Sequence, residues 1–168
     1  KLVASAKTIN SIFIASSPFN ASSYESSSDL KTTLEAKINE ISTNVIKNES
    51  EFKVGTISDI NKDLDIISSE EGQNIFTGKI GIITASEYLK TKNENGNTYL
   101  SSNSGTAWTM NFSNDNHVII NTDGNLTTAA NDTTSRFVYP TIVINANVVK
   151  KSGIGTSTDP YVIEDLTK

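Results

Sequence analysis

His117-Val-Ile-Ile-Asn-Thr-Asp-Gly-Asn-Leu-Thr-Thr128 reads as two short strands with Thr122-Asp123-Gly124 between them. Asp and Gly accept a positive φ at little cost, and an Asp-Gly step between β-favouring runs is a strong local hairpin signal. A hairpin makes its strands antiparallel, and the segments around it keep the same character. Ahead of it, Asn95-Gly96 suits a tight turn and Trp108-Thr-Met110 a strand. Behind it, Phe137–Asn145 reads as a strand interrupted by Pro140, which has no N–H to give a ladder and so calls for an edge position or a bulge. The closing stretch, Gly153-Ile-Gly-Thr-Ser-Thr-Asp-Pro-Tyr-Val-Ile163, is a glycine-bearing loop, a Pro that can open a strand, and a last strand over Tyr161–Ile163.

Upstream the period changes. Lys79–Ile83 is a short apolar strand, and Thr84-Ala-Ser-Glu87 is a capping box that starts a helix over Ala85–Lys90. Residues 52–76 carry mixed signals: Ile57, Ile60, Leu64 and Ile67 fit a helix, and Glu71–Asn74 a turn. Ser28 can cap a helix whose stripe is Leu30, Leu34, Ile38, Ile41 and Val45. Leu2, Ala6, Ile9 and Phe13 predict another helix within residues 1–20, either the end of a longer one or an ordinary terminal helix. Helices first and strands last predict one α+β domain over residues 1–168, with N-terminal helices packed on a mainly antiparallel sheet built from residues 79–163. The expected core is Leu30, Leu34, Ile38, Ile80, Ile82, Tyr88, Trp108, Val118, Ile120, Ile142, Ile144 and Tyr161.

The 168 residues carry a net charge of −5 with a single arginine, Arg136. Such a balance lacks the basic footprint that phosphate backbones need, so no nucleic-acid partner is expected. With no cysteine, thiol catalysis, disulfides and Cys-ligated metals are excluded. The apolar share, 36%, is low for a globular domain, and Ser, Thr and Asn fill the difference.

Asp59-x-Asn61-x-Asp63-x-Asp65, with Glu70 eleven residues after Asp59, has the oxygen-ligand spacing of an EF-hand calcium loop. The sixth position, normally Gly because the loop turns sharply there, is Leu64. Two readings stand: a weak calcium site, or an acidic, solvated helix face with Leu64 turned to the core. Asn114-Asp-Asn116 and Asp123 offer further oxygens to calcium or a sugar, and turn chemistry accounts for them equally. Trp108 is either a stacking platform for a sugar ring or core. His117, the only histidine, has no Gly-x-Ser-x-Gly elbow to work with and reads as structural. No catalytic constellation emerges, so no enzyme and no resident cofactor are expected, calcium being the one weak candidate.

Four segments stand in order: Gly81-Ile-Ile-Thr-Ala-Ser-Glu-Tyr-Leu89, Ala107-Trp-Thr-Met110, Phe137-Val-Tyr-Pro-Thr-Ile-Val-Ile144 and Gly153 through Ile163; Tyr24-Glu-Ser-Ser-Ser-Asp-Leu30 precedes them. Together they resemble a domain of unassigned activity found in exported, often prepilin-like, proteins of Gram-positive bacteria, distantly similar to C-type-lectin-like folds. Tyr139 stands where that family usually has Arg. The resemblance implies an extracellular, cell-surface protein: the head of a type IV pilus-like fibre subunit, with an adhesion or structural display role. Its partners would be other pilin-like subunits, through an N-terminal helix upstream of Lys1. The alternative it implies is a secreted lectin-like module that binds a host or environmental glycan, with calcium assisting. The formylglycine-generating relatives use cysteines absent here, so that activity does not carry over.

Overall fold

The computed structural model describes residues 2–3, 7–9, 50–78, 80–96, 98, 100, 105–114, 116–130, 136–154, 159 and 162–165. Among them the chain is a mixed α+β fold dominated by strands. The order is β1 (Leu2–Val3), β2 (Lys7–Ile9), β3 (Ser50–Val54), α1 (Leu64–Glu71), β4 (Asn74–Gly78), β5 (Ile80–Ile82) and α2 (Ala85–Lys90). There follow β6 (Ala107–Ser113), β7 (Asn116–Ile120), β8 (Leu126–Ala129), β9 (Arg136–Val138), β10 (Pro140–Ile142), β11 (Val148–Ser152) and β12 (Val162–Asp165).

The hairpin forms as its sequence dictates. The Asn121 N–H donates to the Asn125 carbonyl at 2.8 Å, the Gly124 N–H to the Asn121 carbonyl at 3.0 Å, and Gly124 takes φ 79°. That is a three-residue loop whose last residue must be left-handed, which Gly supplies. The hairpin closes one end of a five-stranded sheet, β2-β9-β6-β7-β8, in which only β6 and β9 run parallel. Three smaller sheets accompany it: β1-β10-β5, β3-β4 and β11-β12.

Strand β6 ties these parts together because its ladder to β7 breaks between Trp108 and Phe112. Inside the break the Met110 N–H donates to the Ile83 carbonyl at 3.1 Å, and at its far end the Phe112 N–H donates to the Gly55 carbonyl at 3.1 Å, so β6 reaches toward β5 and the end of β3 as well as β7. The Thr109 hydroxyl donates to the Val118 carbonyl at 2.7 Å and serves that acceptor in place of a main-chain donor. Two buried clusters pack on the β7 face that carries Val118 and Ile120: Ile83, Tyr88, Ala107, Ile120 and Tyr139 in one, and Ile57, Ile67, Ala85 and Val118 in the other, with Leu126 packed against both.

Several expectations need correction. Leu2–Val3 and Lys7–Ile9 are strands paired with β10 and β9, not one face of a helix. The β-branched Val3, Thr8 and Ile9 fit ladder positions offered by strands distant in sequence. Helices do not come first among the described residues, and the sheets draw on residues well ahead of Lys79. Residues 52–76 resolve into strand, helix and strand. Pro140 opens β10, the middle strand of its sheet, neither an edge nor a bulge: it lies where the chain steps from one sheet into another, at a strand's first residue. The last strand runs over Val162–Asp165. Of the expected core, Ile82, Tyr88, Trp108, Val118, Ile120 and Ile142 are buried, and Ile144 is half-buried. Ile80 lies in β5, and the predicted helix over Ser28–Val45 (with Leu30, Leu34 and Ile38), Pro160 and Tyr161 lie outside the described residues.

Candidate functional site

The chemistry concentrates at the C-terminal end of α1. Ile60, Leu64 and Ile67 set a helical stripe, and the next position on it is Glu71. The carboxylate is therefore carried inward, where Glu71 is 0% exposed. It faces the start of α2. The Ser86 N–H donates to Glu71 Oε1 at 2.8 Å, the Ser86 hydroxyl donates to Oε2, and the Thr84 hydroxyl donates to Oε2 at 3.3 Å. Thr84 is also the N-cap of α2: its hydroxyl accepts from the Glu87 N–H at 3.2 Å and its own N–H donates to the Glu87 carboxylate at 3.2 Å. The capping box read from the sequence is thus one wall of a larger polar knot.

Asn111, buried in the broken stretch of β6, forms the opposite wall. Its Oδ1 accepts from the Ala85 N–H at 2.7 Å, and its Nδ2 donates to the Gly55 carbonyl at 3.4 Å. Gly55 is held there by space, since a Cβ on it would sit 2.8 Å from Glu71 Cα and 3.0 Å from the Glu70 carbonyl oxygen. Among the described residues no cation pairs with Glu71. Burial pushes its carboxyl above the ordinary value, against the lowering effect of the Ser86 and Thr84 bonds; the Glu87 charge adds to the rise.

Glu70, one residue earlier, points to solvent. Its carboxylate accepts from the Ser58 hydroxyl at 2.6 Å and the Ser58 N–H at 2.8 Å, and pairs with Lys62 Nζ at 3.3 Å. The Ser58 bonds, then Lys62, hold its pKa below the ordinary value. Lys62 also donates to the Ser58 hydroxyl oxygen.

The five residues with calcium-loop spacing are therefore placed as follows. Asp59 Oδ1 accepts from the Asn61 N–H at 2.9 Å, Asp63 caps α1 without a side-chain bond, Asp65 is exposed in its first turn, and Glu70 is engaged by Ser58 and Lys62. Leu64 begins a helix at the position where the loop would turn. Among the described residues no three His, Asp or Glu side chains stand together as a metal group. Asp123 Oδ1 accepts from the Asn125 N–H at 2.9 Å, which lowers its pKa, and Asn114, with φ 47°, makes the β6–β7 turn. Trp108 is 0% exposed, so the core reading of this residue holds and the stacking-platform reading fails. Arg136 lies over its ring at 4.9 Å, and His117 packs edge-on between Trp108 and Phe112 at 5.1 and 4.3 Å. The buried Tyr88 hydroxyl donates to the Gly124 carbonyl at 2.8 Å, which joins α2 to the hairpin turn; burial pushes its pKa up to about 12.

Sequence reasoning missed Glu71 and Asn111. The signal for Glu71 was its place on the apolar stripe. Asn111 had none, because an alternation count across a broken strand cannot show which way its side chain turns. The chain matches no known protein family, no curated protein and no solved structure.

Proposed function

We propose that the chain is a non-catalytic module of an exported surface protein, with a display or adhesion role of the kind filled by the head of a pilin-like fibre subunit. A C-type-lectin-like arrangement of its sheets belongs to the same proposal. The observation that supports it is where the polar chemistry is spent. The carboxylates of Glu70, Glu71, Asp59 and Asp123 accept hydrogen bonds from neighbouring residues, and Trp108 and His117 lie in the core. Weakly charged turns put Asn93–Gly96 and, in the hairpin, Thr122, Asp123 and Asn125 in solvent. Those features suit a scaffold that presents loops. In this reading a fibre-forming helix joins the head through a strand, since Lys7–Ile9 is built into the five-stranded sheet.

Peptide mapping of the mature protein, with fractionation of its source cells, tests this. Recovery from the cell surface, with an apolar segment ahead of Lys1, is the expected result. Recovery from the cytosol alone would overturn the proposal.

A further inference from the structure

We propose that β8 is a self-pairing edge, through which two copies of this chain join their five-stranded sheets about a two-fold axis. The inference goes beyond the display reading and does not rest on it.

Strand β8 is the outer strand of the sheet, and among the described residues no backbone group pairs with its free side. The hairpin geometry fixes which groups point there. Asn121 and Asn125 form the hydrogen-bonded pair beside the turn. Pairs alternate from it, so Thr127 and Ala129 bond to β7, while Leu126 and Thr128 turn their N–H and C=O groups outward. Proteins usually protect such an edge with a lysine, a proline or a bulge. β8 has none of these: its sequence is Leu-Thr-Thr-Ala, and its register to β7 is unbroken.

The occupant follows from symmetry and charge. An antiparallel copy centred on Thr127 sets Leu126 opposite Thr128 of the second copy, and Thr128 opposite its Leu126. Both outward residues on each copy then exchange both of their bonds, and the two Thr127 side chains meet as a cross-strand Thr–Thr pair. A net charge of −5 opposes contact between copies over most of the surface, yet Gly124 through Asn131 carries no ionisable side chain. A strand of four residues covers far less than the roughly 1,200 Å² of a stable interface, so the pairing is weak in solution and is strengthened wherever copies are held side by side.

Disulfide trapping tests the register, and the chain has no cysteine of its own to interfere. In the proposed pair, residue 127 faces its own copy as a non-hydrogen-bonded pair with Cα atoms about 4.5 Å apart, inside the reach of a disulfide. T127C is expected to form a covalent dimer on mild oxidation at least ~10-fold faster than T122C, whose cysteine sits on the exposed turn and reports random collision. Thr128→Pro removes an N–H that β7 does not use, so in the T127C background it should drop cross-linking to the T122C rate and leave the melting midpoint in place. Thr128→Glu, at an exposed position, is the second variant: it sets two like charges diagonally across the axis, and should slow cross-linking in low salt and recover it in high salt. Equal rates for T127C and T122C would overturn the proposal and leave the edge to some other strand. So would a T127C rate that neither Thr128 substitution changes.

Discussion

Glu70 and Glu71 share a side chain and sit one residue apart on the same helix, yet their surroundings move their acidities in opposite directions. Glu70 lies on the solvent side, where two Ser58 donors and a lysine stabilise its charge in water's presence. Glu71 lies on the core side, where three donors from Ser86 and Thr84 do not fully replace the water it has lost. The helix turns by about 100° per residue, and that rotation decides the outcome. The exposed knot holds a loop to α1. The buried one holds α1, α2 and β6 together.

Removing the buried acceptor should do the most damage. Glu71→Ala leaves the Ser86 N–H and two hydroxyls facing a small cavity, and an expected loss of about 3 kcal/mol follows from unmet buried donors and the void together. Urea denaturation at neutral pH reads it as a lower midpoint at unchanged slope. A midpoint equal to that of the native chain would mean that the three bonds contribute nothing net.

Gly55→Ala attacks the same knot from its backbone side. The new Cβ meets main-chain atoms of Glu70 and Glu71, which cannot swing aside as a side-chain tip would, so an overpacking cost of about 1–3 kcal/mol is expected. A thermal melt of this variant against Gly72→Ala separates crowding from a general effect of losing glycine. The nearest atom to a Cβ on Gly72 is 3.4 Å away, and the residue is exposed and helical. Equal shifts in the two variants would place no special constraint at Gly55.

The sequence exposed one half of this site and hid the other. Thr84 and Glu87 form a local motif, three residues apart, and the capping box forms as read. The hairpin at Thr122-Asp123-Gly124 is equally local. Glu71, by contrast, meets residues 13 and 15 positions away, and Asn111 meets residues 26 and 56 positions away. The first residues failed for the same reason: Leu2–Val3 and Lys7–Ile9 have a helical spacing on their own and become strands only because β10 and β9, over 125 positions later, offer them ladders. Tertiary pairing overrides a weak local period.

Glu70 and Glu71 part further when each carboxyl is made a neutral amide and stability is followed with pH. For Glu71 the folded pKa lies above the ordinary 4.5, so the folded state holds the proton more tightly than the unfolded chain. The advantage of native Glu71 over Glu71→Gln is therefore fully present below 4.5 and shrinks as pH rises through the folded value. Unfolding free energies at pH 4 and pH 7 should show the difference between the two proteins falling across that interval. A difference that grows would mean that the buried group is held as a charge.

Glu70→Gln should give the opposite slope and the smallest effect. The folded pKa is lowered, so the carboxylate stabilises the fold above 4.5, and the contribution disappears as pH falls through the folded value. At neutral pH the variant should unfold slightly earlier than the native chain, and in acid the two curves should meet. Because Glu70 and its cation Lys62 are both only half-buried and open to solvent, added salt should shrink the neutral-pH difference further. Salt should leave the Glu71→Gln difference nearly unchanged, because no mobile ion reaches a carboxyl enclosed by Ser86, Thr84 and the end of α1. Measured side by side in low and high salt, the two variants separate rotation about one helix from any property of the sequence around it. If both respond to salt alike, the inward and outward placements of the two side chains are wrong.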